Sequence, residues 1–149
     1  MILLAHTITG AVIGEKISNP LLVSLIAFIS HFLLDRIPHW NYKVPKKFNA
    51  QFVLNILPDI IPSVLIYVFF LFSYPEQWLT ITLGVTFAIL PDFLALSQYV
   101  PKIDKFFQPL LNFHKFIQGK IKNKNMETFY GLLTQIIYLG ILMMIFVYV

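Results

Sequence analysis

The sequence predicts an all-α, multi-pass integral membrane bundle: five hydrophobic segments plus one interfacial amphipathic helix, forming a single domain over residues 1–149. Three observations predict it. The chain is 58% hydrophobic and 16% aromatic. Only 12% of its residues are charged, where soluble domains carry roughly a quarter. Its mean hydropathy is +0.75, and apolar runs recur along it between short polar breaks.

Ile2 to Gly14 is the first hydrophobic helix, short against the roughly 20 residues of a full span. It lacks the basic leader and small-residue cleavage site of a secretory signal, since its first basic residue is Lys16, so it is expected in the mature fold. Gly10 and Gly14 form a small-xxx-small pair suited to close helix packing. Asn19-Pro20 is a helix-start signal. Leu21 to Ile37 is the second segment, ending where Pro38 biases its predecessor out of the helical region.

Asn41 to Asn49 is a polar loop with Lys43, Lys46 and Lys47. Gln51 to Phe72 is the third segment, with Pro58 and Pro62 inside it, and Ser73 to Glu76 is a turn. Gln77 to Tyr99 is the fourth, with Pro91 inside it. Pro101 to Asn125 is basic and is expected to break at Pro109. Within it Ile103, Phe106, Phe107, Leu110, Leu111, His114, Ile117 and Ile121 keep helical spacing, while the lysines lie mostly elsewhere, as in a helix lying in the interface. Met126 to Val149 is the last segment, where Tyr130, Thr134, Gln135 and Tyr138 read as interhelical packing.

The net charge of +4 gathers mostly in the two lysine segments. No basic patch interleaved with aromatic residues stands on a soluble surface, so a nucleic-acid partner is not expected. Membrane lipids are the expected partners. Two segments separate the lysine groups, which places both on one side, and the positive-inside rule makes that side cytoplasmic. The N-terminus is then inside and the C-terminus outside. The absence of Cys excludes disulfides and thiolate ligands.

Ser30 to Trp40 is the most unusual stretch. His31, Asp35, Arg36 and His39 close an apolar run, and ionisable groups at membrane depth point to a functional site. His31 and Asp35 are four residues apart on one helix face, whereas His39 depends on the turn at Pro38. His6, Asp59, Asp92 and His114 fall at the same cytoplasmic depth. All four histidines and three of the seven acids therefore converge. Gln51, Asn55, Asp59 and Ser63 form a polar stripe, and Thr80, Gly84, Ala88 and Asp92 a small one. Ile-Leu-Pro-Asp occurs twice, ending at Asp59 and at Asp92, and reads as two helices opened around one pocket.

Imidazole with carboxylate suits a divalent transition metal, zinc above all. The metal candidates are His6, His31, Asp35, His39, Asp92 and His114, enough for two metals or for one metal with supporting carboxylates. Asp59 or Asp92 would act as general base. Each piece also has a plainer reading. His6 suits a packing hydrogen bond, His31 with Asp35 an ion pair, and Asp59 with Asp92 a proton relay.

Ala5-His6 with Gly10, the block His31-Phe-Leu-Leu-Asp35-Arg-Ile-Pro38-His39-Trp40, and Leu90-Pro91-Asp92 resemble the small bacterial membrane-bound metal-dependent hydrolases. The likeness covers most of the chain and implies a multi-pass bundle in the bacterial inner membrane with a divalent metal. It would make His6, His31, Asp35, His39 and Asp92 metal or active-site residues. The chain departs from the family's Pro-Asp-x-Asp, having Phe93 and Leu94 after Asp92, and shows His114 where the family often has paired histidines. The resemblance implies a hydrolase of largely unidentified substrate, and with a metal-bound hydroxide as nucleophile the expected reaction is hydrolysis of an ester or phosphoester, with an anionic lipid among the candidate substrates. A metal or proton carrier, and a non-catalytic membrane protein with a structural metal or ion-pair cluster, are the alternatives.

Overall fold

The computed structural model describes residues 1–40, 45, 48–118 and 127–148. Lys43, Lys46, Lys47, Lys120, Lys122 and Lys124, invoked above for topology or headgroup attraction, lie outside the described residues. Among those described there are six α-helices and no strand: α1 Leu3–Lys16, α2 Pro20–Arg36, α3 Ala50–Ser73, α4 Trp78–Ala95, α5 Pro101–Ile117 and α6 Glu127–Tyr148. Short 3-10 turns, Pro75–Gln77 and Leu96–Tyr99, flank α4.

Local chemistry sets the helix ends. The Asn19 side chain accepts from the Leu22 N–H at 3.1 Å with Pro20 in the first turn, and Asn49 accepts from the Phe52 N–H at 2.8 Å. Ile37, ahead of Pro38, is extended and closes α2. α1 begins differently. Ile2 offers no capping side chain, and the Asp59 carboxylate of α3 accepts from the N–H groups of Leu3 at 2.7 Å and Leu4 at 2.9 Å. A carboxylate from another helix thus satisfies two of the donors that every helix start leaves open.

The expected openings at proline do not interrupt the helices. α3 runs through Pro58 and Pro62, α4 through Pro91 and α5 through Pro109. Each proline removes one backbone donor, while the turns on either side keep their hydrogen bonds.

α1 is the axis of the bundle, buried from Ala5 to Ala11 and packed on α4, α3, α2 and α6. Gly10 and Gly14 face Gly84, Thr80 and Ile81 of α4, so the small residues that sequence spacing singled out are the α1–α4 seam. Ala11, Phe70, Ile81 and Val85 form the core beside it, and Met1, Ala5 and Leu34 a second cluster nearer the polar residues. On α2 the buried residues are Val23, Ala27, His31, Phe32, Leu34 and Asp35, and the line Val23, Ala27, His31 and Asp35, one side chain per turn, is apolar until its last two members.

The outer surface is apolar. Leu54, Ile61, Val64, Leu65, Phe69 and Phe72 of α3 are exposed, as are Leu21, Leu25, Ile29 and Leu33 of α2. Ala50–Ser73 and the stretch Pro75–Tyr99 are long and apolar enough to cross a membrane. α5 turns Leu111 and His114 inward, and leaves Phe106 and Phe116 exposed beside Lys102, Lys105 and Lys115.

Candidate metal centre

Four side chains from three helices meet at one end of the bundle. His31 and Asp35 come from the last turns of α2, Asp92 from the end of α4 and His114 from α5. One ligand atom from each lies within 4.8 Å of all the others. Asp35 is the hub, 1% exposed. Its Oδ2 is 3.5 Å from His31 Nε2 and accepts from His114 Nε2 at 2.5 Å. The two Nε2 atoms are 3.3 Å apart, and Asp92 Oδ1 stands 3.8 Å from the first and 3.9 Å from the second.

These spacings can be compared with a metal's needs. A tetrahedral zinc with bonds of about 2.0–2.1 Å sets its ligand atoms about 3.3–3.4 Å apart. The 3.3 and 3.5 Å separations match that edge, and the 3.8 and 3.9 Å ones lie within a few tenths of an ångström of it. The 2.5 Å pair is a hydrogen bond between His114 Nε2 and Asp35 Oδ2, a contact that a dication held by the same two atoms would lengthen. The donor set fits a divalent transition metal.

The His31 tautomer fits as well. The Nδ1–H of His31 donates to the Ala88 carbonyl of α4 at 2.7 Å, so its Nε2 turns a lone pair into the cluster. The proximity rests on the fold. The small α1–α4 seam, which includes Gly84, brings α4 inward and sets the Ala88 carbonyl against α2.

The other candidates have distinct positions. His6 lies beneath the cluster with its ring stacked on His31, centroids 4.2 Å apart and planes 22° apart. Its Nε2 is 3.3 Å from Asp35 Oδ1 but is not aligned for a hydrogen bond, and neither ring nitrogen has a hydrogen-bond partner among the described residues. His39 Nε2 is 3.8 Å from the same oxygen. The Met1 ammonium pairs with Asp35 Oδ1 and donates to His39 Nε2 at 2.8 Å. Burial pushes the His39 imidazole below its usual pKa, helped by that ammonium, which keeps Nε2 an acceptor. Asp59 stands with the start of α1 and not among the four. The pair of Ile-Leu-Pro-Asp acids is therefore divided between two tasks.

The supports of His39 were missed. The His39 Nδ1–H donates to the Ile37 carbonyl at 2.6 Å. Gly131 of α6 lies against the backbone of His39 and Trp40, Thr134 donates to the Pro38 carbonyl at 2.7 Å, and Gln135 donates to the Trp40 carbonyl at 2.8 Å. Thr134 and Gln135 thus hold the turn instead of a neighbouring helix, whereas Tyr138 does pack between helices, 2.7 Å from the Thr9 hydroxyl. A polar pair on an otherwise apolar segment was the signal. Gln135→Leu is expected to lower stability by about 1 kcal/mol through the lost bond to the turn. Thermal unfolding in detergent reads it, and an unchanged midpoint would remove the turn-holding role.

Taken together, the cluster is closed by protein on most sides and open at Asp92, whose side chain is 35% exposed where those of His31 and Asp35 are 0% and 1%. No family model, curated protein or solved structure matches the chain, so the site stands on its own geometry.

Proposed function

We propose that the chain is a multi-pass protein of the bacterial cytoplasmic membrane, a metal-dependent hydrolase of the family its motifs resemble. Its substrate would be an ester or phosphoester of a lipid headgroup at the cytoplasmic leaflet. The observation that carries the reading is the convergence of two imidazole nitrogens and two carboxylates within 4.8 Å of one another, most exposed at Asp92. The exposed apolar faces of α2 and α3 support a lipid surround, because soluble monomers seldom leave such areas bare. The site-bearing ends of α1, α2, α3 and α4 share one side by simple alternation, the side to which the lysines assign the cytoplasm.

His31, Asp35 and His114 would hold the metal through Nε2, Oδ2 and Nε2. Three protein ligands and an open position are the arrangement of catalytic zinc, whereas structural zinc is closed on all sides. A divalent metal there would supply Lewis-acid polarisation and a more acidic water. Asp92, the most exposed of the four, would take the proton of the attacking water and return it to the leaving oxygen. Asp59 supports the start of α1, which carries His6. Lys105 and Lys115, exposed on α5, attract an anionic headgroup.

Zinc-loaded protein in detergent, offered a panel of phosphodiester, phosphomonoester and carboxyl-ester lipids, is expected to turn over at least one class. Chelation should stop the reaction and zinc restore it. Asp92→Asn should lower kcat by about 100-fold or more with metal content unchanged. Stoichiometric metal without turnover on any class would replace the hydrolase with the structural-metal reading.

A further inference from the structure

Asp35 has two oxygens, and the cluster described above uses one. On Oδ2 converge His31, His114 and, beyond them, Asp92. On Oδ1 converge His6 Nε2 at 3.3 Å, His39 Nε2 at 3.8 Å and the Met1 ammonium. The two halves are built alike. His6 and His31 are nearly parallel rings stacked 4.2 Å apart, and the Nε2 of each lies 3.3–3.5 Å from a different oxygen of the same carboxylate. His39 has its Nδ1 proton committed to the Ile37 carbonyl, as His31 has to that of Ala88, so both present Nε2 as a donor of electrons.

His6 supplies an independent observation. It is fully buried, and neither ring nitrogen has a hydrogen-bond partner among the described residues. A buried polar group left without a partner is costly, and such groups call for an explanation. An ion at the Oδ1 side would give His6 Nε2 the partner it lacks. That side holds a cation in the metal-free protein, the ammonium lying between Asp35 Oδ1 and His39 Nε2, whose place the ion would take.

We propose that Asp35 bridges two cation sites, the second formed by His6 Nε2, Asp35 Oδ1 and His39 Nε2 and taking a divalent transition metal. The proposal rests on the reading of the first site and extends it to a two-metal centre. Metals in such centres lie about 3.5–4 Å apart, close to the 4.2 Å stacking distance of the imidazoles that would serve them. The charges then favour one substrate class. Two dications against Asp35 and Asp92 leave a positive excess, which an anionic phosphoester neutralises and a neutral carboxyl ester does not.

The test is a zinc count. Full-length protein in detergent, tagged at its C-terminus, is stripped with chelator, titrated with Zn²⁺, passed through gel filtration and analysed for metal. The wild type is expected to hold two zinc ions per chain, and His6→Ala and His39→Ala each one. His6 is packed inside the bundle, so its variant is judged only if it elutes as the wild type does. His39 lies in a turn, and its variant decides the matter alone if the other misfolds. Saturation at one zinc per chain, unchanged in both variants, overturns the second site and leaves the first standing. A count of two that persists in the folded variants also overturns it. No bound zinc in the wild type overturns both readings together.

Discussion

Asp35→Asn is expected to abolish metal binding and to destabilise the metal-free protein by about 3–5 kcal/mol, the cost of removing one partner from a buried ion pair. The sign separates this carboxylate from an ordinary metal ligand. Ligand carboxylates crowded together repel in the absence of metal, so removing one commonly relieves strain. Asp35 is instead surrounded by the Met1 ammonium and the imidazoles of His6, His31, His39 and His114. Its charge is needed with or without metal. Asp92→Asn is the comparison, because its carboxylate is 35% exposed and water screens its pairs, so its loss should change stability by no more than about 1 kcal/mol. Chemical denaturation of both variants in detergent, with and without chelator, reads the difference. Equal effects, or stabilisation of the metal-free Asp35→Asn protein, would contradict the hub arrangement.

Gly10→Ala is expected to cost about 3 kcal/mol and to weaken metal binding by 10-fold or more. A Cβ on Gly10 would stand 2.6 Å from the Gly84 carbonyl carbon and 2.8 Å from Val85 Cα. Both are backbone atoms, so no side chain can swing aside and α1 must move away from α4. Overpacking typically costs 1–3 kcal/mol, and a backbone obstacle places this case at the upper end. The same movement displaces Ala88 and Asp92 of α4 from His31, and disturbed supports of metal ligands lower affinity by about 10- to 100-fold. Gly140→Ala provides the control. Nothing lies within 4 Å of a Cβ there, so the change should be neutral or stabilise α6 by up to about 1 kcal/mol. Similar melting shifts for the two would remove the seam from the account.

What was legible in the sequence was what short-range chemistry decides. Asn19 with Pro20, Asn49, and Ile37 before Pro38 mark helix ends because caps and proline act within a few residues. His31 and Asp35 were readable as a pair because one helical turn separates them, and Gly10 with Gly14 as a seam because small residues on one face have few other uses. Asp59 shows where such reading stops. Its stripe with Gln51, Asn55 and Ser63 correctly placed it on one face of α3, but its partners are backbone N–H groups 55 and 56 residues away. The clue lay in α1 itself, whose start has no Ser, Thr, Asp or Asn to cap it, so that a cap had to arrive from elsewhere. The prolines were over-read. A missing donor weakens one turn, and packing along the rest of α3, α4 and α5 carries each helix through. The grip of Thr134 and Gln135 on the Pro38–Trp40 turn spans about two-thirds of the chain, beyond any pattern of spacing.

Elemental analysis of detergent-purified protein tests the central claim most directly. The account predicts a divalent transition metal, zinc first, at one equivalent per chain or more, and its loss in a His31→Ala, Asp35→Ala double variant that still elutes as a folded protein. Wild-type protein without stoichiometric metal, or a folded double variant that retains it, would contradict the metal centre.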